Sequence, residues 1–419
     1  MTEREKRTQW FQSARFGMFL HWGLYAIPGR GEWYMSEARI PAEQYERYMQ
    51  EFTANAYDPK DWARRAKRAG MKYVVLTAKH HDGFCMFDSQ YTDFSISRCA
   101  FKEHPKADVA KYVFEAFRKE GFMTGAYFSK PDWHNQDYWW DYFATPNRNV
   151  NYKIERHPEK WEAFKTYTHN QIGELMSNYG TIDILWLDGG WVSPRNNQDI
   201  DMPQIAAMAR AKQPGLLVVD RTIHGKYENY QTPEQKIPEH QLPYPWESCV
   251  TLTTDWGWVK NPVYKTPNRI ISILMEVVAK GGNLLLGVGP TAEGLIEQPT
   301  VKRLQEIGRW MQKNGKAIFH TRITPNYHCG NVWFTADKNG RTLYALYALP
   351  EGETLPAVIE WEGNVPERGT SVRLLSTGQR MKWIERDGKV AVALPAKLAG
   401  STEPIALQFD TPLPKQNKK

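Results

Sequence analysis

The sequence predicts an α/β fold: a (β/α)8-like (TIM) barrel, irregular in places, followed by a C-terminal antiparallel β-sandwich. Three observations carry this. Up to about residue 320, apolar strand-like runs alternate with helical patterns, which implies a parallel sheet covered by helices. Three of these runs, Gly17-Met-Phe-Leu-His21-Trp-Gly23, Lys79-His-His-Asp-Gly83 and Trp186-Leu-Asp-Gly-Gly-Trp191, set His or Asp beside aromatics and glycine. Polar residues gathered at the ends of several strands mark the mouth of a barrel. After about residue 324 the helical patterns stop and short alternating runs take over, separated by Gly, Pro, Asp and Asn turns, as in a sandwich.

Strands are expected over residues 16–21, 73–79, 123–128, 182–187, 216–221, 246–251 and 284–288, with a weak eighth over 317–320. Helical patterns fill 59–69, 109–119, 160–178, 203–211, 266–279 and 301–314. No G-x-G-x-x-G follows the first strand, which disfavours a dinucleotide-binding open sheet. The sandwich strands are expected over 332–335, 342–349, 357–361, 371–375, 382–386, 390–394 and 405–409. The domain boundaries that follow are 1–323 for the barrel, 324–412 for an accessory sandwich and 413–419 for a basic tail.

A chain of 419 residues suits a large domain plus a smaller one and buries enough apolar surface to need no staples. The net charge of +7 comes from 54 Lys+Arg against 47 Asp+Glu. The basic residues are scattered, apart from Arg64, Arg65, Lys67 and Arg68 on a helix whose Trp62, Ala66 and Ala69 face inward, which reads as a solvated face. No nucleic-acid module is visible. The cysteines, Cys85, Cys99, Cys249 and Cys329, form no C-x-x-C pair and read as ordinary thiols. The charged start, Met1-Thr-Glu-Arg-Glu-Lys-Arg7, carries no apolar leader and no run reaches ~18 apolar residues. The chain as written is therefore expected in the cytoplasm; a secreted protein trimmed of its leader would read the same. The 17 Trp and 21 Tyr serve a large core, and surplus indoles also stack on the apolar faces of sugars.

Asp188 is the first candidate for chemistry. Period-2 alternation puts Ile184, Trp186 and Asp188 on one strand face, and the glycines behind Asp188 allow a sharp exit and close approach by a ligand. A carboxylate there can attack or stabilise an electron-poor carbon; the bland alternative is a capping Asp. His21, His80 and His81 stand at strand ends and suit hydrogen bonds to sugar hydroxyls, with the adjacent pair reaching one pocket only if the chain bends. Glu32 and Trp33 follow the first strand, Tyr127 ends the third and Arg221 the fifth. Glu247 lies on the sixth strand. A second carboxylate is what glycoside hydrolysis needs, as general acid and then base. Glu228, Glu234, Glu239 and Asp255 compete with it, the first three in a loop whose bland reading is solvent exposure.

These residues resemble those of the α-L-fucosidases of glycoside hydrolase family 29. The likeness runs over nearly the whole chain. It is densest in residues 10–35, with Phe16-Gly-Met-Phe-Leu-His21-Trp-Gly-Leu-Tyr25 and Gly31-Glu-Trp-Tyr34, in residues 79–84 and in residues 186–189. The resemblance implies a barrel and a β-sandwich, a retaining mechanism and no metal or other cofactor. It places the nucleophile on Asp188 and sugar contacts on His21, Glu32, Trp33, His80, His81, Tyr127, Trp186 and Arg221. The stretch from Tyr227 to Glu247, with Thr253-Thr-Asp-Trp-Gly-Trp258, resembles the subgroup acting on α-1,3/1,4-fucosyl branches, in which Glu247 is the expected acid/base. The implied partner is a fucosylated oligosaccharide, with no nucleic acid and no membrane; self-association is compatible with this reading.

Two other readings compete. A metal-dependent barrel hydrolase would use His21, His80, His81 and Asp188, but wants an H-x-H pair where this chain has adjacent histidines. A non-catalytic carbohydrate-binding protein would explain the aromatics but has no need of Asp188 and Glu247.

Overall fold

The computed structural model describes residues 2–140 and 148–411; the expected basic tail, residues 413–419, lies outside them. Seven parallel strands form the first sheet: β1 (Phe16–Leu20), β2 (Tyr73–Lys79), β3 (Met123–Ser129), β4 (Ile184–Asp188), β5 (Leu217–Asp220), β6 (Glu247–Thr251) and β7 (Asn283–Val288). Their order is β5-β4-β3-β2-β1-β7-β6. Every residue of β2, β4, β5, β6 and β7 is buried, as expected of strands with helices outside and a filled interior.

The eighth stave is not where the sequence pattern put it. Residues 315–317 turn in a 3₁₀ helix, and Thr321–Arg322 already belongs to the second sheet. The gap between β5 and β6 is filled instead by the irregular segment 229–235. Asn229 N–H donates to Val218 O at 2.8 Å, Glu247 N–H to Gln231 O at 2.8 Å and Gln235 N–H to Cys249 O at 2.8 Å. Parallel bridges link Gln231 to Trp246 and Glu234 to Cys249. Pro233 brings no N–H to this ladder, so the stave never becomes a regular strand.

Helices pack outside the strands: α1 (Glu3–Ala14), α2 (Pro59–Arg68), α3 (Val109–Lys119), α4 (Pro158–Asn178), α5 (Met202–Lys212), α6 (Pro267–Ala279) and α7 (Gln298–Asn314). Their starts follow the usual capping chemistry. Asp58 accepts from Lys60 N–H before α2, and Thr266 accepts from Arg269 N–H before α6. In α2, Trp62, Ala63 and Ala66 are buried, whereas Arg64, Lys67 and Arg68 are exposed, so that basic run is a solvated face. Among the described residues no helix is long and apolar enough to cross a membrane.

The C-terminal region is antiparallel. One sheet runs Arg380–Met381, Val372–Leu374, Ile405–Asp410, Thr342–Tyr347, Val332–Asp337, Thr321–Arg322, with His328–Cys329 paired beside Val332–Asp337. The other runs Val358–Glu362, Lys389–Ala393, Trp383–Arg386. Phe334, Trp361, Val390 and Phe409 fill the space between them. The larger sheet also closes against the barrel: Trp333, Tyr344, Leu346 and Ala406 belong to the barrel's own core, and Trp310 Nε1 donates to Pro404 O at 2.7 Å.

Candidate active site

The barrel mouth holds a cavity of about 290 Å³, near the small end of the ~300–1,000 Å³ range of ligand pockets and suited to one sugar ring. Asp188, the last residue of β4, sits in its floor. Asp188 Oδ2 accepts from the Tyr127 hydroxyl at 2.7 Å. Its Oδ1 accepts from Arg221 at 2.6 Å and from Gly189 N–H at 2.7 Å. Burial on its own would raise this carboxyl; the Arg221 guanidinium, with the Tyr127 hydroxyl and the Gly189 amide, outweighs it and holds the group well below the usual carboxylate range. Asp188 is therefore ionised, fixed in orientation and aimed into the cavity. The sharp exit behind it depends on glycine: Gly189 has φ +85°, and a Cβ on Gly190 would lie 1.6 Å from Thr222 Oγ1.

His21, His80 and His81 all line the cavity. The adjacent pair reaches it together because the pairing of β2 with β3 slips between Thr77 and Lys79, a bulge that re-aims the strand end. Burial depresses all three imidazoles, His21 to about 3, His81 to about 4 and His80 well below its ordinary value, so they are neutral near pH 7. Ser129 donates its hydroxyl proton to Pro131 O at 2.5 Å, so at 2.7 Å its oxygen accepts from His81 Nδ1. That tautomer leaves His81 Nε2 as an acceptor, 3.7 Å from Asp188 Oδ2. Trp33, Tyr127, Trp186 and Arg221 complete the expected lining. Glu32 does not line the cavity. It is buried beside it, accepts from Gly257 N–H at 2.9 Å, and burial pushes its carboxyl up to about 7.

Glu247 lies elsewhere. It is the first residue of β6, paired with Asn283 at the start of β7, and so stands at the closed end of the barrel, opposite the mouth. It is fully buried, accepts from Tyr73 Oη at 2.6 Å and from Trp186 Nε1 at 3.1 Å, and is absent from the cavity lining. No leaving group reaches it there. Of the competing acids, Glu239 is exposed and Glu228 is buried against His224; neither lines the cavity, nor does Asp255. Glu234 does. It stands on the irregular stave, pairs with Arg221 and accepts from Trp256 Nε1 at 2.9 Å. Asp188 and Glu234 are the two carboxylates among the described lining residues, and one guanidinium bridges them.

Sequence reasoning also passed over Phe19, Arg148, Thr222, Cys249 and Trp256 in the lining. Trp256 stood inside the aromatic run 253–258, and Phe19 shares the inward face of β1 with His21. Arg148 and Thr222 carried no local signal. Among the described residues no three His, Cys, Asp or Glu side chains are arranged to hold a metal ion, and the flank of Asp188 where a cation would bind is taken by Arg221. The metal-hydrolase reading is not favoured.

Residues 1–316 match the family model described as Alpha-L-fucosidase. The plasma alpha-L-fucosidase of Homo sapiens is 30% identical over 426 residues, covering 92% of this chain and 85% of that protein. The structure of alpha-L-fucosidase isoenzyme 1 from Paenibacillus thiaminolyticus is similar at a TM-score of 0.83 and 35% identity, over 98% of this chain and 99% of that one. A GH29 alpha-L-fucosidase from Bacteroides thetaiotaomicron, trapped as a covalent intermediate with 2-fluoro-fucosyl fluoride, is similar at a TM-score of 0.81 and 26% identity, over 96% and 95% of the two chains.

Proposed function

This chain belongs to the α-L-fucosidase family of glycoside hydrolases, and from that premise we propose that it is an exo-acting, retaining enzyme releasing terminal α-L-fucose from oligosaccharides, with α-1,3/1,4 branches preferred. The observation that carries the mechanism is the single guanidinium of Arg221 held between Asp188 and Glu234 at one cavity. A retaining glycosidase needs two carboxyl groups at one sugar-sized cavity, one as nucleophile and one as general acid and then base, and Asp188 and Glu234 supply that pair.

Asp188 is ionised and points into the cavity, as a nucleophile must. Its oxygen attacks the anomeric carbon while Glu234 gives a proton to the departing glycosidic oxygen. Glu234 then takes a proton from water, which attacks the same carbon and frees Asp188. The covalent intermediate trapped in the Bacteroides relative supports this double displacement. His81 Nε2, an acceptor, takes a hydrogen bond from a sugar hydroxyl, and the indoles of Trp33 and Trp186 give the ring's apolar faces something to pack on. Tyr127 and Arg221 pin the nucleophile. The preference for α-1,3/1,4 linkages rests on the likeness of residues 227–258 to that subgroup.

Proton NMR on an aryl α-L-fucoside tests the stereochemistry. α-L-Fucose should appear before mutarotation; β-fucose appearing first would make the enzyme inverting. Turnover of a panel of α-1,2-, α-1,3-, α-1,4- and α-1,6-linked fucosides tests the linkage.

A further inference from the structure

We propose that Arg148, at the lip of the cavity, selects substrates in which the sugar adjoining the fucosyl residue carries an anion, a sulfate ester or a carboxylate. This rests on the fucosidase reading and adds a substrate class to it.

Four charged side chains line the cavity: Asp188, Arg221, Glu234 and Arg148. The first three satisfy one another. Arg148 has no carboxylate within 4.0 Å among the described residues, and it is exposed where Asp188 is buried. From the nucleophile outward the order is Asp188, then His81, then Trp33 and Trp191 edge-on to His81 at 5.1 Å each, then Arg148. A cavity of about 290 Å³ holds one ring. Arg148 is the exposed member of this charged set, on the solvent side of Trp33 and Trp191, so it is placed to meet the sugar next to that ring.

The guanidinium is held in advance. Its carbon lies 4.6 Å from the Trp191 ring centroid and 5.7 Å from that of Trp33, so the two indoles restrain it by cation–π contact while the residue stays exposed. Its backbone is anchored as well: Arg148 O accepts from Tyr138 Oη at 3.1 Å, and Tyr138 Oη accepts from Trp191 Nε1 at 3.0 Å. A neutral hydroxyl needs no full charge opposite it. A guanidinium held over indoles, with no carboxylate partner among the described residues, matches the two acceptors of a sulfate or carboxylate.

The test is turnover of three matched oligosaccharides: one neutral, one with a sulfate and one with a sialic-acid carboxylate on the sugar adjoining fucose. The ratio of kcat/KM for anionic over neutral substrate cancels any loss of folded enzyme. In wild type at low salt at least one anionic substrate should be favoured by about 5- to 20-fold, shrinking at high salt as screening predicts. Arg148→Gln should bring the ratio to about 1, and Arg148→Lys should keep part of it. Preference for the sulfate, the carboxylate or both supports the proposal and identifies the source. A wild-type ratio near 1, or a ratio that Arg148→Gln leaves unchanged, overturns it while the fucosidase reading stands. No turnover of any of these or of an aryl fucoside overturns both.

Discussion

The indole Nε1 of Trp186 donates a 3.1 Å hydrogen bond to Glu247 at the closed end of the barrel. Trp186 stacks on Tyr127 with centroids 5.4 Å apart and 24° between planes, and Tyr127 donates to Asp188 at 2.7 Å. A buried carboxylate thus supports Asp188 from beneath, through two aromatic side chains, without lining the cavity.

That burial has a pH signature. Burial raises the Glu247 carboxyl from 4.5 to about 7, against hydrogen bonds from Tyr73 and Trp186 that lower it. Between about pH 4.5 and 7 the folded protein binds this proton and the unfolded chain does not, so the contribution of Glu247 to stability falls as pH rises through that window. The neutral histidines give the opposite slope, since His21 and His81 are depressed to about 3 and 4, so wild type alone would not isolate the effect. The difference in Tm between Glu247→Gln and wild type should do so, because Gln does not ionise. It should shift in favour of the variant from pH 5 to pH 8; a difference constant across that range would mean Glu247 is ionised throughout.

Asp188→Ala should lower turnover of an aryl fucoside by about 10³-fold or more while the protein stays folded, since among the described lining residues the other carboxylate is Glu234, assigned to the leaving group. Azide should restore part of the rate and yield the β-fucosyl azide, inverted because azide enters from the emptied side. Near-normal turnover would exclude Asp188 as nucleophile.

The seven regular strands were legible because each is a short apolar run, and the ends of β2 were readable to the residue. Asp188 and the histidines were legible because a polar residue closing an apolar run stands out. The irregular stave was not. Its residues, Asn229 to Gln235, mix Tyr, Thr, Pro and Glu, and what aligns them is hydrogen bonding to β5 and β6, which leaves no period in the sequence. Glu234 on that stave therefore read as a solvated loop residue. Glu247 misled for a different reason. The sequence puts it on the correct strand, expected over 246–251, but the structure makes it that strand's first residue, and in a parallel barrel the first residue lies at the floor. Applying strand direction as well as strand membership would have set it aside. Arg148 reaches the cavity from a connection with no pattern of its own.

Deletion from residue 324 onward should give insoluble or unstable protein with no active core. It would expose the barrel surface covered by Trp333, Tyr344, Leu346 and Ala406 and remove the acceptor of Trp310. Each large apolar contact of this kind is worth ~1.5–3 kcal/mol when fully buried, against ~5–15 kcal/mol of total stability for a typical domain. A soluble truncation with full turnover would show that the sheets do not brace the barrel.

The sharpest prediction separates Glu234 from Glu247. A general acid matters in proportion to how badly the leaving oxygen needs a proton. Nitrophenolate leaves well without one, and a sugar alkoxide does not. Glu234→Ala should therefore be nearly inactive on a fucosyl oligosaccharide and keep far more of the first step on a nitrophenyl fucoside. The second step also loses its base, so the covalent intermediate should accumulate and both kcat and KM on the aryl substrate should fall together. Azide, which needs no base, should accelerate breakdown and give the α-fucosyl azide, opposite in configuration to the product of Asp188→Ala. Glu247→Ala should behave otherwise. It leaves Tyr73 Oη and Trp186 Nε1 without their acceptor, at ~1–3 kcal/mol of stability for each buried group. It should slow aryl and natural substrates by similar factors, with no response to azide. If the leaving-group dependence and the α-azide instead follow Glu247, the proton reaches the leaving oxygen by a route through the barrel floor and the assignment to Glu234 is wrong.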